Sequence, residues 1–306
     1  MTAPIIFAAP LQGYTDAAWR AAHRDIFGEA VAQYFTPFVR VEGGVPRPRD
    51  LRDAPAGEPR TTPQIIFGSP GEMRMLVHAL SGAGHTRIDL NCGCPHPPQL
   101  HKGRGAAVLL RPDLLREAAE IINDYPAITF SLKMRTGVTC GTEWRPAMRE
   151  IERMRLSHVT VHARYAVQQY RGLVDVAAFE AIASALPHPV FFNGDVTAPQ
   201  ELPAGAAGVM IGRALLGRPS LAAEWCGGEE WPAARRIEAL LQLHARVYEA
   251  RAARLCGPAQ LLAAMQPFWH FCEDGIGHRN AKAIRKTRTI EAYRKAVAEI
   301  TKNLEL

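Results

Sequence analysis

Residues 128–164 read ITFSLKMRTGVTCGTEWRPAMREIERMRLSHVTVHAR. Two apolar runs, ITFSLKMR (128–135) and HVTVHAR (158–164), are typical of buried strands. The segment between them, EWRPAMREIERMR (143–155), has apolar residues at the i, i+3, i+4 spacing of a helix. A strand, a helix and a second strand in this order indicate a crossover unit in which the two strands are parallel.

The same alternation of strand and helix extends over the first 212 residues. Six further strand-like runs are IIFAA (5–9), AQYFTPFV (32–39), PQIIFG (63–68), TRIDLNC (86–92), PVFFNG (189–194) and GVMIG (208–212). A total of eight strands closes a (β/α)8 barrel, whereas a doubly wound open sheet usually has about five to seven. We therefore predict an α/β fold built on a TIM barrel. The prolines in NGDVTAPQELP (193–203) predict that its seventh helix is much shortened.

Beyond Trp231 the sequence shows only helical periodicity, as in ARRIEALLQLHARVYEAR (234–251) and AYRKAVAEITKNL (292–304). The stretch CGGEEWP (226–232) interrupts both patterns. We predict a barrel domain over residues 1–228 and a small all-α helical domain over residues 229–306. The proline-rich segment 42–62 is long enough to be either a functional lid or a disordered loop.

Composition excludes several classes of protein. The chain has 306 residues, 47% of them hydrophobic and 22% charged, and no run of 18 apolar residues occurs. The first residues, MTAPIIFAAP, lack the basic segment of a signal peptide, so we expect a soluble cytoplasmic protein with no membrane span. The six cysteines are expected to be free thiols. Cys92 and Cys94 alone supply too few ligands for a metal ion, and nothing indicates an obligate protein partner.

The positive charge is concentrated near the end of the chain. Residues 231–306 hold 13 Lys and Arg against 7 Asp and Glu, whereas residues 1–230 hold 23 of each kind. The segment 278–295 contains seven of the basic residues: Arg279, Lys282, Arg285, Lys286, Arg288, Arg294 and Lys295. Such a cluster predicts contact with a polyanion such as a nucleic acid, although a solvated helix face gives the same pattern.

The carboxyl ends of the predicted strands, where the active site of a barrel lies, carry mostly polar residues. In strand order they are Pro10, Leu11 and Gln12; Gln64; Asn91 and Cys94; Lys133 and Arg135; His162; Asn193, Gly194 and Asp195; and Gly212 and Arg213.

The turns after the seventh and eighth strands contain glycine and are typical of a phosphate site in which backbone N–H groups and Arg213 hold the anion. Glycines that only close tight turns give the same pattern. Lys133 and Arg135 are two residues apart and face one side of their strand. They predict an anionic or electron-rich ligand, with a structural salt bridge as the alternative.

Cys94 follows a buried strand and lies between Gly93 and Pro95. A free cysteine has a pKa of about 8.5, so near neutral pH it is mostly a protonated thiol that can act as an acid. The alternative is a small buried apolar residue, which is the role that we predict for Cys92.

Taken in order, seven segments resemble the motifs of the tRNA-dihydrouridine synthases: AAPLQGYTD (8–16), DLNCGCP (89–95), KGRGAAVLL (102–110), SLKMRTG (131–137), VHAR with QYRG (161–172), NGDV (193–196) and VMIGRALLGRP (209–219). The resemblance covers about the first 220 residues. It implies an FMN-containing barrel and a helical RNA-binding domain that together reduce the C5–C6 bond of a uracil base in tRNA with NADPH.

The resemblance also implies roles for single residues. The flavin would be lined by Pro10, Leu11, Gln12, Gln64, Lys133, His162, Asn193, Gly194, Asp195, Gly212 and Arg213. Cys94 matches the proton donor, and Asn91 and Arg135 match residues beside the target uracil. Two alternatives are a flavin reductase that acts on free pyrimidines and a barrel that binds RNA without catalysis.

Overall fold

The centre of the molecule is one parallel sheet, described by a computed structural model that covers residues 3–302. In chain order the strands are β1 (Ile6–Ala8), β2 (Gln33–Phe35), β3 (Val41–Glu42), β4 (Val45–Pro46), β5 (Thr61–Thr62), β6 (Gln64–Ile65), β7 (Arg87–Cys92), β8 (Thr129–Gly137), β9 (Leu156–Tyr165), β10 (Val190–Asn193) and β11 (Ala206–Ile211). Nine of them form the sheet in the order β5-β2-β1-β11-β10-β9-β8-β7-β6, while β3 and β4 form a separate antiparallel hairpin.

A proline interrupts the third strand of the barrel and divides it into β5 and β6. Pro63 separates the two halves, which pair with different neighbours: Thr61 is opposite Tyr34 in β2, and Gln64 is opposite Asp89 in β7. The segment 61–65 therefore joins both ends of the sheet. Counted as one strand, it gives a closed barrel of eight parallel strands, which confirms the predicted TIM barrel.

Helices follow most of the strands. In chain order they are α1 (Ala17–Phe27), α2 (Pro48–Arg52), α3 (Pro70–Gly82), α4 (Pro97–Leu100), α5 (Pro112–Asp124), α6 (Met148–Arg153), α7 (Val176–Ala185), α8 (Arg213–Gly217), α9 (Leu221–Gly227), α10 (Ala233–Ala252), α11 (Pro258–Met265), α12 (Glu273–Ile276), α13 (His278–Arg285) and α14 (Ile290–Lys302). None of them is long and apolar enough to cross a membrane.

The starts of these helices follow from local sequence. Asp16 caps α1 by accepting a hydrogen bond from the Trp19 N–H, and Ser69 caps α3 through Glu72 in the same way. Pro146 confines the predicted helix over 143–155 to a 3-10 turn followed by the short α6. Residues 194–205 contain no helix, so the seventh helix is absent and not merely shortened.

The C-terminal helices share a hydrophobic core with the barrel. Helix α10 packs against α1, and Leu240 of α10 belongs to the same buried cluster as Trp19 of α1. Gly217 at the end of α8 approaches the Phe271 carbonyl so closely that a Cβ atom there would lie 2.3 Å from the oxygen. The boundary between residues 228 and 229 falls between α9 and α10, and the division into two domains stays a prediction.

The segment 42–62, predicted as a lid or a disordered loop, is folded. It contains the hairpin end, α2 and β5, and ion pairs hold it in place. The buried Arg20 of α1 bonds to Glu58 at 2.7 Å, and Arg47 bonds to Glu42 at 2.8 Å. The hairpin lies beside the mouth of the barrel. Its residues Val41 and Glu42 line the cavity there.

Candidate active site

A cavity of about 1340 Å³ opens at the carboxyl ends of the barrel strands and is covered on one side by the C-terminal helices. All of the site residues predicted from the sequence line it: Pro10, Leu11, Gln12, Gln64, Asn91, Cys94, Lys133, Arg135, His162, Asn193, Gly194, Asp195, Gly212 and Arg213. The parallel strands bring these residues together from seven strand ends that are far apart in sequence. Their individual roles stay predictions.

A chain of buried side-chain hydrogen bonds runs from below the cavity to two of its lining residues, Gln64 and Asn91. Asp89 of β7 accepts one hydrogen bond from Ser131 Oγ and one from Gln64 Nε2, both at 2.6 Å. Gln64 Oε1 in turn accepts from Asn91 Nδ2 at 2.6 Å. Asn91 Oδ1 accepts from the backbone N–H groups of the residues that follow it, Gly93 at 3.1 Å and Cys94 at 2.8 Å. The chain therefore connects a buried carboxylate to the backbone that carries Cys94.

The Cys94 thiol is half-buried, and its surroundings keep it protonated. Burial raises the pKa of the thiol, while a hydrogen bond with the His96 backbone and the cations of Arg135 and Lys133 oppose this effect. Gly105 packs against the same residue, since a Cβ atom at this position would lie 2.6 Å from the Cys94 carbonyl oxygen, and its φ is +63°. At neutral pH Cys94 therefore presents an S–H group at the edge of the cavity. Cys92 is fully buried in the core, as predicted.

Lys133 and Arg135 both face the cavity but differ in their partners. Arg135 donates to three backbone carbonyls, those of Gly93, Tyr165 and Gln169, at 2.8–3.2 Å. Lys133 has no hydrogen bond or ion pair within the described residues. Burial, followed by repulsion from Arg135, lowers the pKa of its ammonium to about 8. Neither side chain forms a salt bridge with a carboxylate there, so the alternative proposed for this pair is not what the structure shows.

His162 lies at the end of β9, and its Nε2 atom is buried without a hydrogen-bond partner among residues 3–302. Burial, with the nearby cations of Arg135 and Lys133, lowers its pKa well below the usual value. The imidazole is therefore neutral at physiological pH. A buried ring nitrogen without a partner is costly in a folded protein, and it is typical of an atom that meets a ligand.

Asp195 organises the turn after β10. It accepts hydrogen bonds from Arg164 and from Arg213, the second at 3.1 Å, and the Arg164 bond is the main cause of its lowered pKa. The guanidinium of Arg213 also lies 4.0 Å from the centre of the Tyr170 ring. Tyr170 is absent from the predicted site, although it lies in QYRG (169–172), one of the segments on which the resemblance rests.

The C-terminal helices contribute residues to the cavity that the sequence did not reveal. Arg236, Ile237 and Leu240 come from α10, Phe271 follows α11, and Asp274 belongs to α12. Helical periodicity predicts which face of a helix is buried but not that this face lies over the mouth of a barrel.

The sequence model for the family described as Dihydrouridine synthase (Dus) matches residues 7–296. This chain belongs to the dihydrouridine synthase family. It is 30% identical over 228 residues to tRNA-dihydrouridine synthase B from Yersinia pestis, with 70% of this chain and 68% of that protein covered. It is also 30% identical over 235 residues to the protein of the same name from Xanthomonas campestris pv. campestris, with 74% and 69% covered.

Among solved structures, N-acetylneuraminate lyase from Mycoplasma synoviae superimposes with a TM-score of 0.42 and 15% identity, over 100% of this chain and 96% of that chain. This similarity is too low to bear on function. Membership of the dihydrouridine synthase family, in contrast, confirms the predicted class of enzyme, an oxidoreductase on a TIM barrel.

The mouth of this dihydrouridine synthase is electropositive. Eight of the residues that line it are Lys or Arg and three are Asp or Glu. Clefts with an excess of one charge concentrate ligands of the opposite charge. The cavity is thus suited to binding anionic ligands. Its buried polar side chains and the protonated Cys94 thiol are suited to catalysing a reaction of such a ligand.

Proposed function

We propose that this protein is a tRNA-dihydrouridine synthase that reduces the C5–C6 double bond of a uridine in the tRNA D-loop, with FMN as cofactor, NADPH as reductant and Cys94 as proton donor. The observation that carries the proposal is the placement of a protonated thiol, Cys94, in the same electropositive cavity as the Lys133 cation, which has no hydrogen bond or ion pair among residues 3–302. The names of the relatives, both tRNA-dihydrouridine synthases, support tRNA as the substrate.

The residues of the cavity fit a flavin. Within the part of the chain that the structure describes, the Lys133 ammonium makes no hydrogen bond or ion pair, and His162 offers a buried ring nitrogen without a hydrogen-bond partner. Both would meet the polar edge of the ring system, together with Gln64, while Pro10, Leu11 and Gln12 would line it. Asn193, Gly194, Asp195, Gly212 and Arg213 would hold the phosphate. When bound, FMN supplies the hydride that reduces the base.

The protein groups then complete the reduction. The Cys94 Sγ–H gives its proton to C5 of the base. Burial raises the pKa of the thiol, so the sulfur is protonated before this transfer. Asn91 and Arg135 would hold the uracil. Lys133 would stabilise negative charge that develops on the neighbouring ligand, because a cation already in the cavity requires little reorganisation.

The basic surface of the C-terminal helices, defined as Arg279, Lys282, Arg285, Lys286, Arg288, Arg294 and Lys295, would bind the tRNA backbone. All seven side chains are exposed. A base in folded RNA has to leave its stack to enter a cavity, at a cost of a few kcal/mol. Phosphate contacts with the basic surface would offset that cost. A cytoplasmic location fits this substrate.

The decisive experiment follows the flavin and the RNA in one sample. Purified protein should show flavin absorbance bands that bleach with NADPH under anaerobic conditions and return on addition of tRNA that lacks dihydrouridine. The RNA should gain the mass of two hydrogen atoms per modified uridine. Fully modified tRNA is the control and should not reoxidise the flavin.

Two other outcomes would replace the proposal. Reoxidation by free uracil or uridine as fast as by tRNA would show a small-molecule reductase. A colourless protein that FMN does not reconstitute would show a barrel that binds RNA without reducing it.

A further inference from the structure

The hydrogen-bond chain from Asp89 to Cys94 has a direction, and both of its ends fix that direction. At one end Asp89 is a carboxylate, which only accepts hydrogen bonds. At the other end the backbone N–H groups of Gly93 and Cys94 only donate. The amides of Gln64 and Asn91 lie between these ends, and each amide has one oxygen and one NH₂ group. With 2.6 Å between successive links, only one orientation of each amide satisfies both ends.

The direction decides what Asn91 can offer to a ligand. Both lone pairs of its Oδ1 atom are used by the backbone N–H groups, and one hydrogen of Nδ2 is used by Gln64. One N–H donor is left, on a residue that lines the cavity. A ligand that meets Asn91 therefore meets a donor and no acceptor.

We propose that Asp89 is a positioning residue which, through Gln64, fixes the Asn91 amide so that it presents an N–H donor to a carbonyl oxygen of the base. This inference rests on the proposed function, because it concerns the base that enters the site. Uracil carries a carbonyl at C4 where cytosine carries an amino group. A donor that faces C4 pairs with the uracil oxygen and is left unpaired, at a cost, by the cytosine amino group.

The burial of the chain makes this arrangement effective. Asp89 is 1% exposed, Gln64 1%, Ser131 3% and Asn91 7%. Water therefore has little access to replace a lost hydrogen bond in the chain. A substitution at Asp89 is expected to affect the Cys94 backbone through the amides of Gln64 and Asn91. Asp89 does not touch the ligand itself, since it is absent from the lining of the cavity.

The test separates the acceptor function of Asp89 from its charge. Asp89→Leu removes the acceptor with little change in size. Asp89→Asn removes the charge but keeps an acceptor, because its Oδ1 can still receive Gln64 Nε2 while its Nδ2 turns to Ser131 Oγ. Ser131→Ala is the matched control, because it removes a hydrogen bond from the same carboxylate and leaves the chain to Asn91 intact.

Two measurements on the full-length protein with FMN report the result. The first is the rate at which iodoacetamide alkylates Cys94, followed by peptide mass spectrometry so that the exposed thiols are counted separately. The second is kcat/KM for tRNA. We expect Asp89→Leu to alkylate several-fold faster and to lose about tenfold or more in kcat/KM, while Asp89→Asn and Ser131→Ala stay within about threefold of the wild type.

Two results would overturn the inference. Wild-type alkylation and kcat/KM in Asp89→Leu would show that no relay acts on Asn91. Equal loss in Asp89→Asn and Asp89→Leu would show that the charge matters and not the direction of the chain. If Asp89→Leu does not fold, Gln64→Leu cuts the same chain one link later. If the wild type does not reduce tRNA, the proposed function fails, while the alkylation rates still decide the positioning role.

Discussion

The guanidinium of Arg213 lies over the ring of Tyr170, 4.0 Å from its centre, while its Nη2 atom donates to Asp195 at 3.1 Å. Arg213 is thus held from two directions before any ligand arrives. Preorganisation of this kind reduces the entropy lost when an anion binds. Tyr170 therefore contributes to the proposed phosphate site without being charged itself.

Removal of the Tyr170 ring should weaken FMN binding. A cation–π contact at an exposed site contributes about 0.5–1 kcal/mol, so we expect Tyr170→Leu to raise the FMN dissociation constant about two- to fivefold. Tyr170→Phe keeps the ring and should bind FMN as the wild type does. Titration of the apoprotein, followed by quenching of flavin fluorescence, measures both. Equal weakening in the two variants would assign the effect to the hydroxyl group.

Cys94→Ala should keep the flavin and lose reduction of the base. The variant retains Lys133 and His162, so FMN content and the rate of NADPH oxidation should match the wild type, whereas dihydrouridine formation should fall about 100-fold or more. Stopped-flow absorbance separates the two half-reactions. Full dihydrouridine formation by this variant would remove Cys94 from the mechanism.

The affinity for FMN should depend on pH through Lys133. Burial lowers the pKa of this ammonium to about 8 in the ligand-free protein, so the cation is present below that pH and is lost as the pH rises through it. The FMN phosphate is already doubly charged above about pH 6, so its own ionisation does not change the affinity near pH 8. We expect weaker FMN binding above about pH 8 and a flatter profile in Lys133→Met. A wild-type profile that is flat from about pH 7 to 9 would contradict the role of this cation.

The basic surface should determine the salt dependence of tRNA binding. Because α10 shares its core with α1, deleting residues 231–306 would expose apolar surface, and charge reversal is the cleaner test. Combined replacement of Arg279, Lys282 and Lys286 by Glu should weaken tRNA binding. The slope of log Kd against log salt should fall by about one for each phosphate group that the variant no longer binds. Arg149→Glu, on the exposed face of α6, is the control. An unchanged slope would locate the RNA elsewhere.

Asp89→Asn should not destabilise the protein near neutral pH. Burial raises the pKa of the Asp89 carboxyl to about 6, so the folded state holds its proton more tightly than the unfolded state does. Stability then falls as the pH rises from about 4 to about 6 and remains lower above it. The uncharged Asn avoids this loss, so its urea midpoint at about pH 7.5 should equal or exceed that of the wild type. A lower midpoint would indicate that the charge stabilises the fold.

The sequence predicted the barrel because the alternation of strand and helix repeats with a period that few other folds share. It also predicted which residues line the cavity, because position at the carboxyl end of a strand is visible in the pattern. The chain from Asp89 to Cys94 was not predictable. Gln64 and Asp89 are opposite each other only because of the register between β6 and β7, and Pro63 leaves little signal for that register.

The residues contributed by α10 and α12 were missed for a related reason. Periodicity describes each helix alone, whereas the site depends on how helices far apart in sequence pack on the barrel. Tyr170 was missed although QYRG was noted, because its function lies in the geometry of Arg213 above its ring.

The shared core of barrel and C-terminal helices has a consequence for substrate choice. Arg251 of α10 bonds to Asp16 at 2.9 Å, and Gly217 touches the Phe271 backbone, so the two parts are locked together at several points. These contacts hold the basic surface at a defined distance from Cys94 in this structure. If the basic surface binds tRNA as proposed, the modified uridine would be the one whose distance from the bound backbone matches this separation.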